Sequence, residues 1–136
     1  MRRPILVDSA PRALLLLSLF CFAAPSFAKD AADATAPAIA AKLMLRGQPN
    51  GLKVSEMRLT RKNDVLVVQA DLQNVTKKDV VAYHRFRWLD ASGNQVGDGE
   101  SWKQTAVYGE QMLTIKGVAP TSGVVDLRLE MNVDKK

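Results

Sequence analysis

Tyr83, Arg85 and Arg87 alternate along the chain, the spacing that sets side chains on one face of a strand. A guanidinium is a planar fork of donors that grips carboxylate or phosphate oxygens in pairs. The row can therefore hold an anionic ligand on envelope polymers or lipids. It can equally be a solvated face with cross-strand carboxylate partners such as Asp71 or Glu130. Trp102 follows the polar run Gly99-Glu100-Ser101, and Tyr108 comes six residues later. Exposed at an edge, these rings would stack on a sugar or anchor a protein contact. Buried, Trp102 would be lateral core. Tyr83, Arg85, Arg87, Trp102 and Tyr108 form the candidate interaction surface. Arg58, Arg61 and Lys62 make a smaller basic cluster with the same two readings.

Catalytic sets are missing. His84 is the single histidine of the chain, and no nucleophile motif stands beside it to complete a triad. Zinc needs three or four ligands, usually His and Cys. Asp90-Ala91-Ser92-Gly93 begins like a calcium loop, but the alternating oxygen ligands and closing glutamate are absent. Asp90 is expected to bond its own turn. An enzyme would need His84 in a cleft with Asp90 or Glu100. We expect no catalysis, no cofactor and no metal. Asn74-Val75-Thr76 matches a glycosylation sequon, which means little if the host is bacterial.

The elements that must position these residues begin well inside the chain. Arg2, Arg3 and Arg12 form a basic start, and Ala13 to Ala24 is an uncharged apolar run. Pro25 breaks the run, and Ser26-Phe27-Ala28 presents small residues before a cut. This is the three-part pattern of a secretory signal peptide, so residues 1–28 are expected to be cleaved after Ala28. The run is too short for the roughly 20 residues of a spanning helix. Lipidation at Cys21 would need a small residue before the cysteine, and Phe20 stands there. A twin-arginine address at Arg2-Arg3 is the other alternative; the strongly apolar run favours the general route. The periplasm is the expected location. Cys21, the single cysteine, leaves with the signal, so packing alone must stabilise the domain. The formal charge of +5 falls to about +3 once the signal is removed. That surplus is short of a nucleic-acid footprint.

Residues 29–50 are rich in alanine and read as a flexible linker, with a short helix in Ala38 to Leu45 as the alternative. Gln48-Pro49-Asn50-Gly51 marks the start of a domain over 51–134. From Leu52 the period is two. Leu66, Val68, Ala70 and Leu72 share one face of a strand, with Gln69, Asp71 and Gln73 on the other. Val80, Ala82, His84, Phe86 and Trp88 are the inward set of a second, with Trp88 packing between sheets. Val125, Leu127, Leu129, Met131 and Val133 are the inward set of a third. Strands are also expected at Gln111 to Lys116 and Trp102 to Tyr108, with a short edge piece at Gln95 to Gly97. In Leu52 to Thr60 the parity changes, and a β-bulge near Ser55-Glu56 would restore one buried face. Turns fall at Arg61-Lys62-Asn63-Asp64, Asp90 to Asn94 and Gly109-Glu110. About seven short strands predict an all-β, immunoglobulin-like β-sandwich.

The order of five segments adds a resemblance. Leu66 to Asn74, Arg85 to Gly93, Trp102-Lys103, Gly117 to Pro120 and Asp126 to Leu129 together resemble the YcfL-type, DUF1425-like periplasmic family of uncharacterised domains. The likeness covers roughly Leu52 to Val133. It implies an immunoglobulin-like sandwich in the cell envelope, with no established catalytic residues to carry over. Many members look like lipoproteins, from which Phe20 departs. Relatives are often encoded near a lipoprotein that activates a peptidoglycan synthase, which raises a cell-wall role without showing one. The expected function is a periplasmic, non-catalytic binding or accessory module whose partner is an envelope protein. The alternative is a binder of peptidoglycan or of an anionic glycan or lipid.

Overall fold

The structure is a computed structural model and describes residues 37–135. The expected signal peptide, Cys21 and residues 29–36 of the expected linker lie outside these residues. Among the described residues, seven strands form two sheets. A one-turn helix α1 (Pro37–Ala40) leads into β1 (Leu43–Arg46), β2 (Leu52–Lys62), β3 (Val65–Asn74), β4 (Val80–Leu89), β5 (Lys103–Val107), β6 (Met112–Val118) and β7 (Asp126–Lys135). One sheet has the order β1-β7-β4-β5, the other β2-β3-β6. Among the pairs these strands form, β1–β7 alone is parallel. The fold is the immunoglobulin-like sandwich expected, in a four-plus-three arrangement.

The inward sets pack as their period dictates. Leu66, Val68, Ala70 and Leu72 of β3 are buried against Phe86 and Trp88 of β4 and Leu127, Leu129 and Met131 of β7. Burying a side chain of this size stabilises by roughly 1.5–3 kcal/mol before the entropy of ordering is subtracted. Phe86 and Trp88 lie with ring centroids 5.5 Å apart. Gly117 of β6 faces them across the sandwich, and a Cβ there would come within 2.5 Å of Phe86 Cδ2. The two sheets therefore meet where one strand has no side chain.

The bulge falls where the parity break requires it. Val54 pairs with Leu72 and Glu56 with Asp71, so Ser55 is the extra residue. Beyond it Met57 opposes Ala70 and Leu59 opposes Val68, on the same face as Leu52 and Val54. Asn63 and Asp64 both take positive φ, 49° and 64°, which is the two-residue turn whose twist suits a hairpin. In the β4 turn, Asp90 Oδ1 accepts the N–H groups of Ser92 and Asn94, each at 2.9 Å, and Gly93 takes a φ of 81°.

Four expectations need correction. Residues 43–46, read as linker, form β1, because Leu43 and Leu45 reach the core while the backbone extends the sheet along β7. The helical alternative over Ala38 to Leu45 shrinks to Pro37–Ala40. Val125 is 46 % exposed and Val124 is buried in its place; the last strand starts only at Asp126, so its parity does not extend back into the loop. The edge piece at Gln95 to Gly97 is a single bridge between Leu89 and Gln95.

Asn74, first residue of the sequon, is 1 % exposed. Its Nδ2 donates to the carbonyls of Lys78 (2.7 Å) and Val107 (3.1 Å), and its Oδ1 accepts from Thr76 N and Oγ1. It ties the β3–β4 crossover to β5.

Candidate functional site

The outward face of the four-stranded sheet carries the candidate residues. Its rows follow from the pairing. Met44, Glu130 and Arg85 are opposite one another across β1, β7 and β4. Arg46, Asn132, Tyr83 and Gln104 form the next row, on into β5. Lys103 pairs with His84, so Trp102, one residue earlier, lies beside Arg85.

Glu130 is the centre of this face and is fully shielded from solvent. Its Oε2 accepts the Nε–H of Arg85 and lies 3.8 Å from Arg46 Nη2. Its Oε1 lies 2.8 Å from Arg87 Nη2 but receives no aligned hydrogen bond. A buried carboxylate survives desolvation only with such partners. Around Asp126 the pattern repeats on a smaller scale: Lys42 and Arg128 both bind it. Burial pushes the Asp126 carboxyl up, but Lys42, Arg128 and the Leu127 N–H outweigh it and bring it down to about 2. Five cations thus surround two carboxylates, and the face keeps a positive surplus.

Trp102 is 39 % exposed. The Arg85 guanidinium stands 4.7 Å from the centroid of its ring and that of Arg46 stands 5.5 Å away, both within cation–π range. Arg46, Tyr83, Trp102 and Asn132 line an open recess of about 290 Å³.

Four of the five candidate residues come together here: Tyr83, Arg85, Arg87 and Trp102. Tyr108 does not. It is 57 % exposed but follows Val107 at the far end of β5, about 20 Å along the strand from Trp102. Arg85 and Arg87 are largely spent on Glu130. Of the cross-strand partners expected for them, Glu130 is correct and Asp71 is not. Asp71 lies in the other sheet, where it accepts from Nη1 and Nη2 of Arg58 and from Thr114 Oγ1. Those hydrogen bonds, Arg58 first, hold its carboxyl below the usual range against the opposing effect of burial. Arg61 of the same basic cluster donates to the carbonyls of Asp64 and Val124. Arg46 was missed because β1 was read as linker.

His84 points to the other side of β4. It is 4 % exposed, edge-on to Phe86 at 6.4 Å, and its Nδ1 has no hydrogen-bond partner among the described residues. Burial lowers its pKa, Lys103 lowers it further and Glu100 opposes them. Glu100 has a structural task. Its carboxylate accepts Trp88 Nε1–H at 3.1 Å and the Phe86 N–H at 3.3 Å, filling the stretch of the β4 edge that β5 leaves open beyond His84. Among the described residues no group of three or more His, Cys, Asp or Glu is placed to hold a metal ion. Among them, too, no helix is long and apolar enough to cross a membrane.

A two-layer sandwich with one face laced by buried ion pairs is the class that fold and site define. Residues 42–132 match the family model DUF1425, described as a protein of unknown function, and the chain belongs to that family. Its fold is similar to the crystal structure of Campylobacter jejuni cj0090, with 23 % identity, a TM-score of 0.58, and coverage of 68 % of this chain and 98 % of that one. A DUF1425 family member from Shewanella sp. is similar at 24 % identity and a TM-score of 0.53, over 62 % of this chain and 78 % of that one. Among curated proteins no sequence matches.

Proposed function

We propose that this chain is a non-catalytic binding module of the bacterial cell envelope, exported and cut after Ala28, whose ligand docks on the outward face of the β1-β7-β4-β5 sheet. One observation carries the reading. Arg46 and Trp102 stay open to solvent at a recess, while the arginines beside them are neutralised internally by Glu130. An exposed indole beside an incompletely neutralised guanidinium is the pairing of residue types enriched at recognition surfaces. The apolar setting of His84 supports a role without chemistry. Export rests on the leader pattern of the first 28 residues.

The test is site-specific photocrosslinking in living cells. A benzophenone amino acid placed at position 102 or 83 is expected to give a discrete adduct at native abundance. The same group at Val125 or Tyr108, exposed elsewhere on the domain, is expected to give none. Equal labelling at all four positions, or no adduct at 102 and 83, would overturn the proposal.

A further inference from the structure

We propose that the recess between Arg46, Tyr83, Trp102 and Asn132 binds a sugar acid, a carboxylate-bearing unit of an envelope glycan. The inference rests on the reading of this face as a binding surface and gives that surface its ligand class.

Charge decides the first part. Arg85 and Arg87 contact Glu130 closely, whereas Arg46 reaches it only at 3.8 Å and its side chain is 60 % exposed. Arg46 is the least neutralised of the three. Its guanidinium lies 5.5 Å from the Trp102 ring centroid, a cation–π contact that biases it toward the recess before a ligand arrives. Glu130 shows what this cluster accepts: a carboxylate facing several guanidinia. An incoming carboxylate would take the open donors of Arg46.

The remaining walls decide the second part. Tyr83 adds a phenol and Asn132 an amide, both uncharged groups that donate and accept. With a half-exposed indole they suit a ring bearing hydroxyls. Arg46, Asn132 and Tyr83 are paired across three adjacent strands, so the geometry is fixed by the ladder and not by a loop. A neutral sugar would leave Arg46 uncompensated. A lipid phosphate would accept from Arg46, the phenol and the amide, but it has no ring face to lay on the indole and no hydroxyl to donate to the Asn132 carbonyl. Arg85 and Arg87 are positioning residues: they hold Glu130, and Arg85 also braces Trp102.

The probe is trigalacturonate, titrated into isotope-labelled protein purified after expression of the full chain. The domain has two indole N–H signals. That of Trp102 reports on the recess, and that of Trp88, bonded to Glu100, reports on the fold. We expect trigalacturonate to shift the Trp102 signal saturably and leave Trp88 unchanged. Neutral chitotriose should bind about tenfold more weakly or less, because a charge-assisted hydrogen bond is lost. Arg46→Gln should weaken trigalacturonate by roughly tenfold with Trp88 unmoved, and Arg46→Lys should restore part of it. Inorganic phosphate alone should leave Trp102 unshifted. Equal response to both sugars, or binding to phosphatidylglycerol vesicles without any response to trigalacturonate, would overturn the proposal. Photo-adducts at position 102 without a trigalacturonate response would overturn the sugar acid and leave the binding face standing. Absence of both would remove both.

Discussion

Glu130 and Arg85 sit opposite each other on β7 and β4, and the carboxylate takes the Arg85 Nε–H with no surface left to solvent. The outward side of this sheet is thus a second, polar interior. Glu130→Gln would leave three guanidinia facing a neutral amide. Removing one partner of a fully buried pair costs about 3–5 kcal/mol; the arginines here are partly solvated, so roughly 2–3 kcal/mol is expected. Urea unfolding measures it. Replacing Glu130, Arg85 and Arg87 together by Leu and Met should cost much less than the single change, because the one charge left, Arg46, is open to solvent.

Asp126 gives an acid-dependent term of known sign. Its carboxyl lies at about 2, below the ordinary 3.8. The unfolded state therefore binds the proton first as pH falls, and the stabilisation is complete above the ordinary value and lost as pH drops through about 2. Asp126→Asn should be less stable than the parent at pH 6, with the gap closing between about pH 4 and pH 2. Urea midpoints across that range test this. A gap that stays constant would remove Lys42 and Arg128 as its source.

Gly117→Ala tests the contact between the sheets. The new Cβ would meet Phe86 Cδ2 at 2.5 Å, Phe86 Cε2 at 2.7 Å and Trp88 Cζ2 at 3.1 Å. Overpacking of this kind costs typically 1–3 kcal/mol. A lowered thermal midpoint with an altered near-UV aromatic signal is the expected result.

A chain shortened to begin at Gly47 would lose β1. Leu43 and Leu45, partly buried against the core, would go, and the β7 edge would be bare. A loss of roughly 2–4 kcal/mol is expected from the apolar area alone, read by chemical denaturation. A chain beginning at Pro37 should match the longer form. Equal stability of the two shortened chains would show that β1 contributes only sequence, not packing.

The period of two made six of the seven strands legible, since alternation in β3, β4 and β7 matches a half-buried ladder at each position. The bulge was legible for the same reason: Val54 and Met57 cannot share a face unless one residue is set aside. β1 was not, because four residues after an alanine-rich stretch carry too few alternations to stand out, and its partner lies over eighty residues away in β7. In the site, the Tyr83, Arg85 and Arg87 face was readable from spacing. Whether the arginines were free was not, because that depends on Glu130.

What the residues determined by themselves was which side chains share a face, because the alternation of a pleated strand is a local property of covalent geometry. Which faces then meet was decided in three dimensions. Pairing β4 with β7 put Glu130 under Arg85 and Arg87, and the parallel pairing of β1 with β7 brought Arg46 to Glu130 and over Trp102. Such encounters depend on how strands are ordered in a sheet, and strand order arises from contacts between distant parts of the chain that no local pattern encodes.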